Sequence, residues 1–243
     1  MSIRNGEAVA ARRKGVISFL GHYIVLLVSL VVLFLIYPIM EECNLPARIW
    51  FLNAFFFFVL LSAIAVASRT RRTLWTVVVL AVPTVVIDWA SPLASSRWVF
   101  VLNDLFSITF FTVVCVVIMR HVMTSKTVTG DTIAGSICAY LLLGLVWALL
   151  YDLIELVIPG SFGFPSDLVT GGEPGREIGF LSFAYFSFTT MTTLGYGDIT
   201  PLSKTAQAFA PLQAVFGQLY IAILVARLVA MRVANGQAGP DSN

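Results

Sequence analysis

Charge is scarce in this chain. Charged residues make up 12% of its 243 positions, against roughly 25% in an average soluble protein. That scarcity excludes an ordinary soluble globular domain. The net charge is +2, so the balance gives no case for a nucleic-acid partner. Cysteine is scarce too. Cys43, Cys115 and Cys138 are far apart and fit no metal spacing. The last two lie in apolar runs, where a buried, reduced thiol is expected. A disulfide scaffold is not expected. There are two histidines, His22 and His121. Both fall near the ends of apolar runs, and an interfacial position is expected for each. No Ser/His/Asp or metal-hydrolase constellation exists, so neither an enzyme nor an organic cofactor is expected.

What is abundant is apolar. Hydrophobic residues make up 58% of the chain. A transmembrane helix needs about 20 mostly apolar residues. Candidate spans are 16–37, 48–67, 73–92, 97–119, 132–156 and 205–231. The first follows Arg12, Arg13 and Lys14, as a signal peptide would. Its run is too long and no small-residue cleavage site follows, so a retained helix is expected. The expected fold class is an all-α membrane protein with six transmembrane helices.

Basic residues orient the spans. Arg4, Arg12, Arg13 and Lys14, then Arg69, Arg71 and Arg72, then Arg120 and Lys126 alternate with connections holding Glu41, Glu42, Asp167, Glu173 and Glu177. The positive-inside rule places both termini in the cytoplasm. Arg227 and Arg232 mark the cytoplasmic end of the last span. The tail beyond it, residues 233–243, is too short for a regulatory domain.

The segment between the fifth and sixth spans departs from the pattern. Residues 179–191, GFLSFAYFSFTTM, are apolar and aromatic but number only 13. At 1.5 Å per residue they reach about 20 Å, short of a hydrocarbon core of about 30 Å. A re-entrant or interfacial helix is expected. Directly after it comes TTLGYGD, Thr192 to Asp198. Irregular backbone at membrane depth is tolerated only where protein buries it or water bathes it. This run therefore belongs in a protein-enclosed, wet place.

TTLGYGD resembles the selectivity filter of potassium channels. The order of parts is similar as well: outer helix, turret, pore helix, filter, inner helix over residues 132–232. The resemblance implies a six-helix prokaryotic channel in the bacterial inner (plasma) membrane. Its parts would be a tail (1–15), a four-helix membrane domain (16–121), a linker (122–131), the pore domain and a short tail (233–243). A potassium ion in a narrow pore loses its water shell, and backbone carbonyls replace it. Gly195 and Gly197 allow backbone conformations that most side chains forbid. By resemblance, the carbonyls of Thr193, Leu194, Gly195 and Tyr196 bind K+, with Gly197 completing the filter. The Thr193 hydroxyl adds the innermost ring, and Asp198 lies at the outer mouth. Leu194 and Tyr196 side chains point away from the ion, with Tyr185, Phe186 and Phe188 as aromatic partners. One chain offers one carbonyl per layer, so a homotetramer embedded in membrane lipids is implied.

Two positions depart from the family. Leu194 stands where Val or Ile is usual, and Thr189 where some bacterial relatives carry a glutamate that braces the filter. Gly217 stands where the family places a hinge glycine. A gating bend and a close helix contact are both open readings there. Ala214, Gly217, Gln218, Ile221 and Val225 share one helical stripe that is expected to face the cavity. Alternatives to potassium conduction are a weakly selective cation channel and a membrane sensor or scaffold with a vestigial pore.

The first four spans lack the arginine ladder of a voltage sensor. Residues 97–120 carry Arg97 and Arg120 at their two ends and no basic residue between. Asn53, Asp88, Asn103 and Asp104 are polar residues in apolar runs, with Arg97 and Arg48 as candidate partners. Two readings stand for this set: an outward-facing sensor, or a structural hydrogen-bonded knot.

Overall fold

The computed structural model describes residues 23–32, 34–36, 39, 71–90, 97–125, 129–165 and 179–237. The basic tail, Asn53, Arg48, Cys43 and most of the turret lie outside these residues.

A first helix, α1, covers residues 23–32 and 34–36. It is followed by α2 (Arg71–Ala90), α3 (Arg97–Thr124), α4 (Gly130–Val157), α5 (Phe180–Met191) and α6 (Lys204–Gln237). Among the described residues, three helices are long and apolar enough to cross a membrane: α3, α4 and α6. They overlap the expected spans 97–119, 132–156 and 205–231. Each runs a few residues further, because a helix continues through polar residues once its backbone bonds are made. α3 carries on through Arg120 and His121 to Thr124. α4 starts two residues early, where the Thr129 hydroxyl accepts a hydrogen bond from the Thr132 N–H at 3.2 Å. That is an N-cap. α3 and α4 thus each enter the stretch expected as a linker, 122–131, of which residues 126–128 lie outside the described residues.

α3 packs along α4 of the same chain, with Phe110, Phe111, Val114 and Ile118 buried against Cys138, Leu142 and Leu145. Tyr23, Leu26 and Leu30 of α1 and Val77 and Ala81 of α2 join that core. Cys115 and Cys138 are buried thiols that donate to the Ala139 and Tyr23 carbonyls at 3.5 and 3.3 Å. In lipid, helices associate through close packing rather than through the hydrophobic effect, and small residues allow it. Gly135 faces the Tyr23 ring, and a β-carbon on Gly144 would lie 2.5 Å from the Phe188 ring.

A second core is aromatic. Trp147 and Tyr151 of α4, Phe183 and Phe186 of α5, and Phe162 pack together with Ile199. Two strands of two residues each, β1 (Phe162–Gly163) and β2 (Thr200–Pro201), pair antiparallel beside it. The Glu155 carboxylate accepts hydrogen bonds from the Gly160 and Phe162 N–H groups at 2.7 and 3.1 Å. These bonds fold the segment after α4 back onto the helix end, and the Leu202 and Ser203 N–H groups, which lead into α6, donate to the Ser161 carbonyl at 2.7 and 3.1 Å.

Candidate functional site

α5 is 12 residues long, about 18 Å at 1.5 Å per residue, and is too short to cross a membrane. Its C-terminal carbonyls have no partners within a continuing helix. Thr192 closes the last turn by donating to the Phe188 carbonyl at 3.0 Å, and Thr193 donates to the Thr190 carbonyl at 3.0 Å. The Thr189 carbonyl then accepts two backbone bonds, from the Leu194 N–H at 2.8 Å and from the Gly195 N–H at 3.2 Å.

Those two bonds fix the direction of two other groups. In a trans peptide the N–H and the preceding C=O point opposite ways, and the described residues contain no cis bond. The Leu194 N–H points back at α5, so the Thr193 carbonyl points away from it. The Gly195 N–H does the same, so the Leu194 carbonyl also points away. The Thr193 and Leu194 carbonyls thus share one side of the segment.

The backbone explains how this continues. φ is positive at Thr193 (60°), Gly195 (54°) and Gly197 (82°), and among the described non-glycine residues it is positive at Thr193 alone. Leu194 and Tyr196 therefore have ordinary negative φ. Alternation of left- and right-handed residues converges N–H groups on one side of a segment, leaving the carbonyls for the other. Glycine enters the left-handed region without penalty. A β-branched threonine there is an outlier, held at a cost of about 1–3 kcal/mol by surrounding structure. The Thr189 carbonyl supplies part of that hold through the residues on the C-terminal side of Thr193.

Residues 192–198 are exposed in the single chain. Leu194 is 57% and Tyr196 68% exposed, a large apolar area for one chain to leave bare beside so many backbone carbonyls. The Tyr185 ring lies parallel to the Tyr196 ring at 6.3 Å. Its hydroxyl donates to Asp198 Oδ2 at 2.6 Å, and the Ile199 N–H donates to Oδ1 at 3.0 Å. The Tyr185 hydrogen bond, aided by those backbone N–H bonds, holds the Asp198 carboxyl below its ordinary range. The other two expected aromatic partners face elsewhere. Phe186 stacks edge-on with Tyr151 and Phe162, and Phe188 meets Phe34 of α1.

α6 runs past the segment without a break. Gly217 is buried, and a β-carbon there would lie 2.5 Å from the Met191 carbonyl oxygen. This glycine marks a close approach of α6 to the end of α5. Gln218, Ile221 and Val225 of the expected cavity stripe are exposed, and Ala214 is half-buried. The Thr189 side chain is buried and donates to the Phe186 carbonyl at 3.0 Å.

Sequence reasoning missed a second glutamine. Gln213 is fully buried, accepts from the Tyr151 hydroxyl at 2.6 Å and donates to Ser187 O and Oγ at 3.0 and 2.7 Å. The available signal was three polar residues in three apolar helices. Their separation along the chain hid the pairing.

Of the two candidate basic partners of the polar set, Arg97 lies among the described residues. Arg97 donates from Nε and Nη2 to the Leu156 carbonyl in the last turn of α4. Carbonyls there lack intrahelical partners, and a cation suits the negative end of the helix dipole. Asp104 is buried and Asn103 half-buried on α3. The Asp88 side chain and all of Asn53 lie outside the described residues.

Against known proteins, residues 136–233 match the family model described as ion channel. The matched stretch runs from the first turns of α4 through α5 and the TTLGYGD segment into the last turns of α6. No curated protein and no solved structure matches the chain. The apolar helices and the matched stretch make this a helical membrane protein similar to ion channels over that part, and similarity to a channel points to transport rather than catalysis.

Proposed function

We propose that the chain is one subunit of a homotetrameric, potassium-selective channel that passes K+ passively through a pore lined by Thr193, Leu194, Gly195 and Tyr196 carbonyls. The observation that carries this reading is the alternation of positive φ at Thr193, Gly195 and Gly197, together with the two N–H bonds to the Thr189 carbonyl. A row of carbonyls on one side of a strand replaces the water shell of a dehydrated cation. One chain supplies one oxygen per layer, so a closed ring of copies completes each layer. Four copies are the number the resemblance to potassium channels implies.

The bare surfaces support assembly. Only 6% of the most apolar window of α6 is buried within the chain, against 56% for α4. Neighbouring copies would cover α6 and the exposed Leu194 and Tyr196 side chains. Gln218, Ile221 and Val225 then line the water-filled cavity below the filter, with Asp198 at its outer mouth. Six spans, cytoplasmic termini and a bacterial inner-membrane location complete the proposal, on the charge pattern of the loops. α3 lies against α4 of its own chain, which favours a four-helix domain packed on its own pore module.

The test is uptake of rubidium, a potassium mimic, into liposomes holding the purified protein. Uptake driven by an outward potassium gradient and absent with an outward sodium gradient is the expected result. No uptake under either gradient would leave a vestigial pore, and equal uptake a weakly selective one.

A further inference from the structure

Behind the segment just described, three helices are tied by one directed chain of hydrogen bonds. The Tyr151 hydroxyl of α4 donates to Gln213 Oε1 of α6 at 2.6 Å. Gln213 Nε2 donates to the Ser187 carbonyl at 3.0 Å and to Ser187 Oγ at 2.7 Å on α5. Ser187 Oγ donates to the Gly144 carbonyl of α4 at 2.7 Å. All three side chains are fully buried.

Chemistry fixes the amide orientation. A backbone carbonyl only accepts, so the NH2 of Gln213 faces Ser187 and its oxygen faces Tyr151. Each hydroxyl proton and both amide protons are used. A network satisfied in this way inside an apolar packing specifies one arrangement, because any slip leaves a buried polar group unpaired. The slip it resists is a movement of α5 relative to α4 and α6. Ser187 lies two residues before Thr189, whose carbonyl holds the Leu194 and Gly195 N–H groups.

We propose that Gln213 is a positioning residue for ion selectivity. It fixes α5 through Ser187, and α5 fixes the direction of the Thr193 and Leu194 carbonyls through Thr189. Gln213 touches no ion. This inference rests on the potassium reading of the pore. A glutamine at the tenth position of a long apolar helix would otherwise be a costly choice, since a leucine fills such a place without needing partners.

The experiment compares wild type, Gln213→Met, Tyr151→Phe and the double variant, all as assembled channels in lipid bilayers. Methionine keeps the length of glutamine and removes its polar atoms. Tyr151→Phe removes one hydroxyl and is the variant least able to harm folding. The readout is the potassium-to-sodium permeability ratio, taken alongside the fraction of protein recovered as tetramer. A purely structural role would lower the tetramer fraction and leave the ratio of surviving channels unchanged. We expect the ratio to fall roughly tenfold in Gln213→Met, the size set by leaving buried partners unsatisfied. A smaller fall is expected in Tyr151→Phe, and the double variant should fall by less than the two single effects combined. A selective wild type whose ratio is unchanged in both single variants overturns this inference alone. A wild type that does not prefer potassium overturns the potassium reading and this inference with it.

Discussion

Tyr185 holds Asp198 by a 2.6 Å hydrogen bond while its ring lies parallel to that of Tyr196. One side chain of α5 thus braces the last two side-chain-bearing residues of TTLGYGD. Asp198 carries its charge at the C-terminal end of the segment, and Tyr196 lies between the two glycines. The brace is attached at thirteen residues' distance along the chain and depends on α5 ending where it does.

The first prediction concerns acid. The Tyr185 hydroxyl bonds the ionised carboxylate, and the Asp198 pKa is lowered for that reason first. A lowered value means the bond persists above the ordinary aspartate range and is lost as pH falls through the depressed value. Tyr185→Phe keeps the ring and removes the donor. The proton titration of conductance from the Asp198 side should then move to higher pH. A titration unchanged by the substitution would show that the carboxylate does not need this donor.

The glycines of TTLGYGD give the second. No atom lies within 4 Å of a β-carbon built on Gly195, yet its φ is +54°. An alanine there meets no clash in its own chain but carries a backbone cost of about 1–2 kcal/mol. Gly195→Ala should abolish flux while leaving the helical content by circular dichroism intact. Retained flux would mean that this carbonyl is not part of the pathway.

Gly217 makes the opposite case. Its β-carbon would fall 2.5 Å from a backbone oxygen and 2.6 Å from Met191 Cγ. Neither the helix nor the end of α5 can yield cheaply, and overpacking of this kind costs about 1–3 kcal/mol. Gly217→Ala should lower the thermal midpoint of the assembled protein. An unchanged midpoint combined with altered open probability would favour a hinge over a packing contact.

Voltage is the fourth. Arg97 is tethered to the Leu156 carbonyl at one end of α3, and Arg120 lies near the other end. Each charge moved across 100 mV is worth about 2.3 kcal/mol, and steep gating needs several per subunit. Neither arginine has reason to leave its end of α3. The conductance–voltage curve in symmetrical potassium should be shallow and unchanged by Arg120→Gln. A steep curve that flattens in that variant would make α3 a minimal sensor.

Several of these features were readable before any coordinates. The runs 97–119 and 132–156 announce helices, because lipid demands long stretches with internally satisfied backbone. The pair Gly195 and Gly197 announces positive φ, because glycine is the residue that adopts it freely. Thr193 was not readable in the same way. No rule of sequence assigns a left-handed backbone to a β-branched residue, and its φ follows from the bonds that Thr189 makes beyond it. The Leu156 carbonyl that Arg97 reaches lies 59 positions along the chain, and no sequence pattern announces a helix end as its partner. β1 and β2, two residues each, are too short to leave an alternating pattern. Gln213, Ser187 and Tyr151 are polar residues separated by 26 and 62 positions from their partners, and only the packing of α4, α5 and α6 brings them together.

Assembly can be checked apart from conduction. Native mass measurement in mild detergent should return four chains of 26.6 kDa. A dimer or monomer that still conducts would break the argument that one carbonyl per layer needs three others.

The central claim is that the row of carbonyls from Thr193 to Tyr196 selects potassium. Bi-ionic reversal potentials, with potassium on one side of a bilayer and sodium on the other, measure it most directly. The account predicts a reversal potential displaced far toward the potassium equilibrium value, and loss of the current in Gly195→Ala. A reversal potential near zero, with potassium and sodium equally permeant, would contradict it.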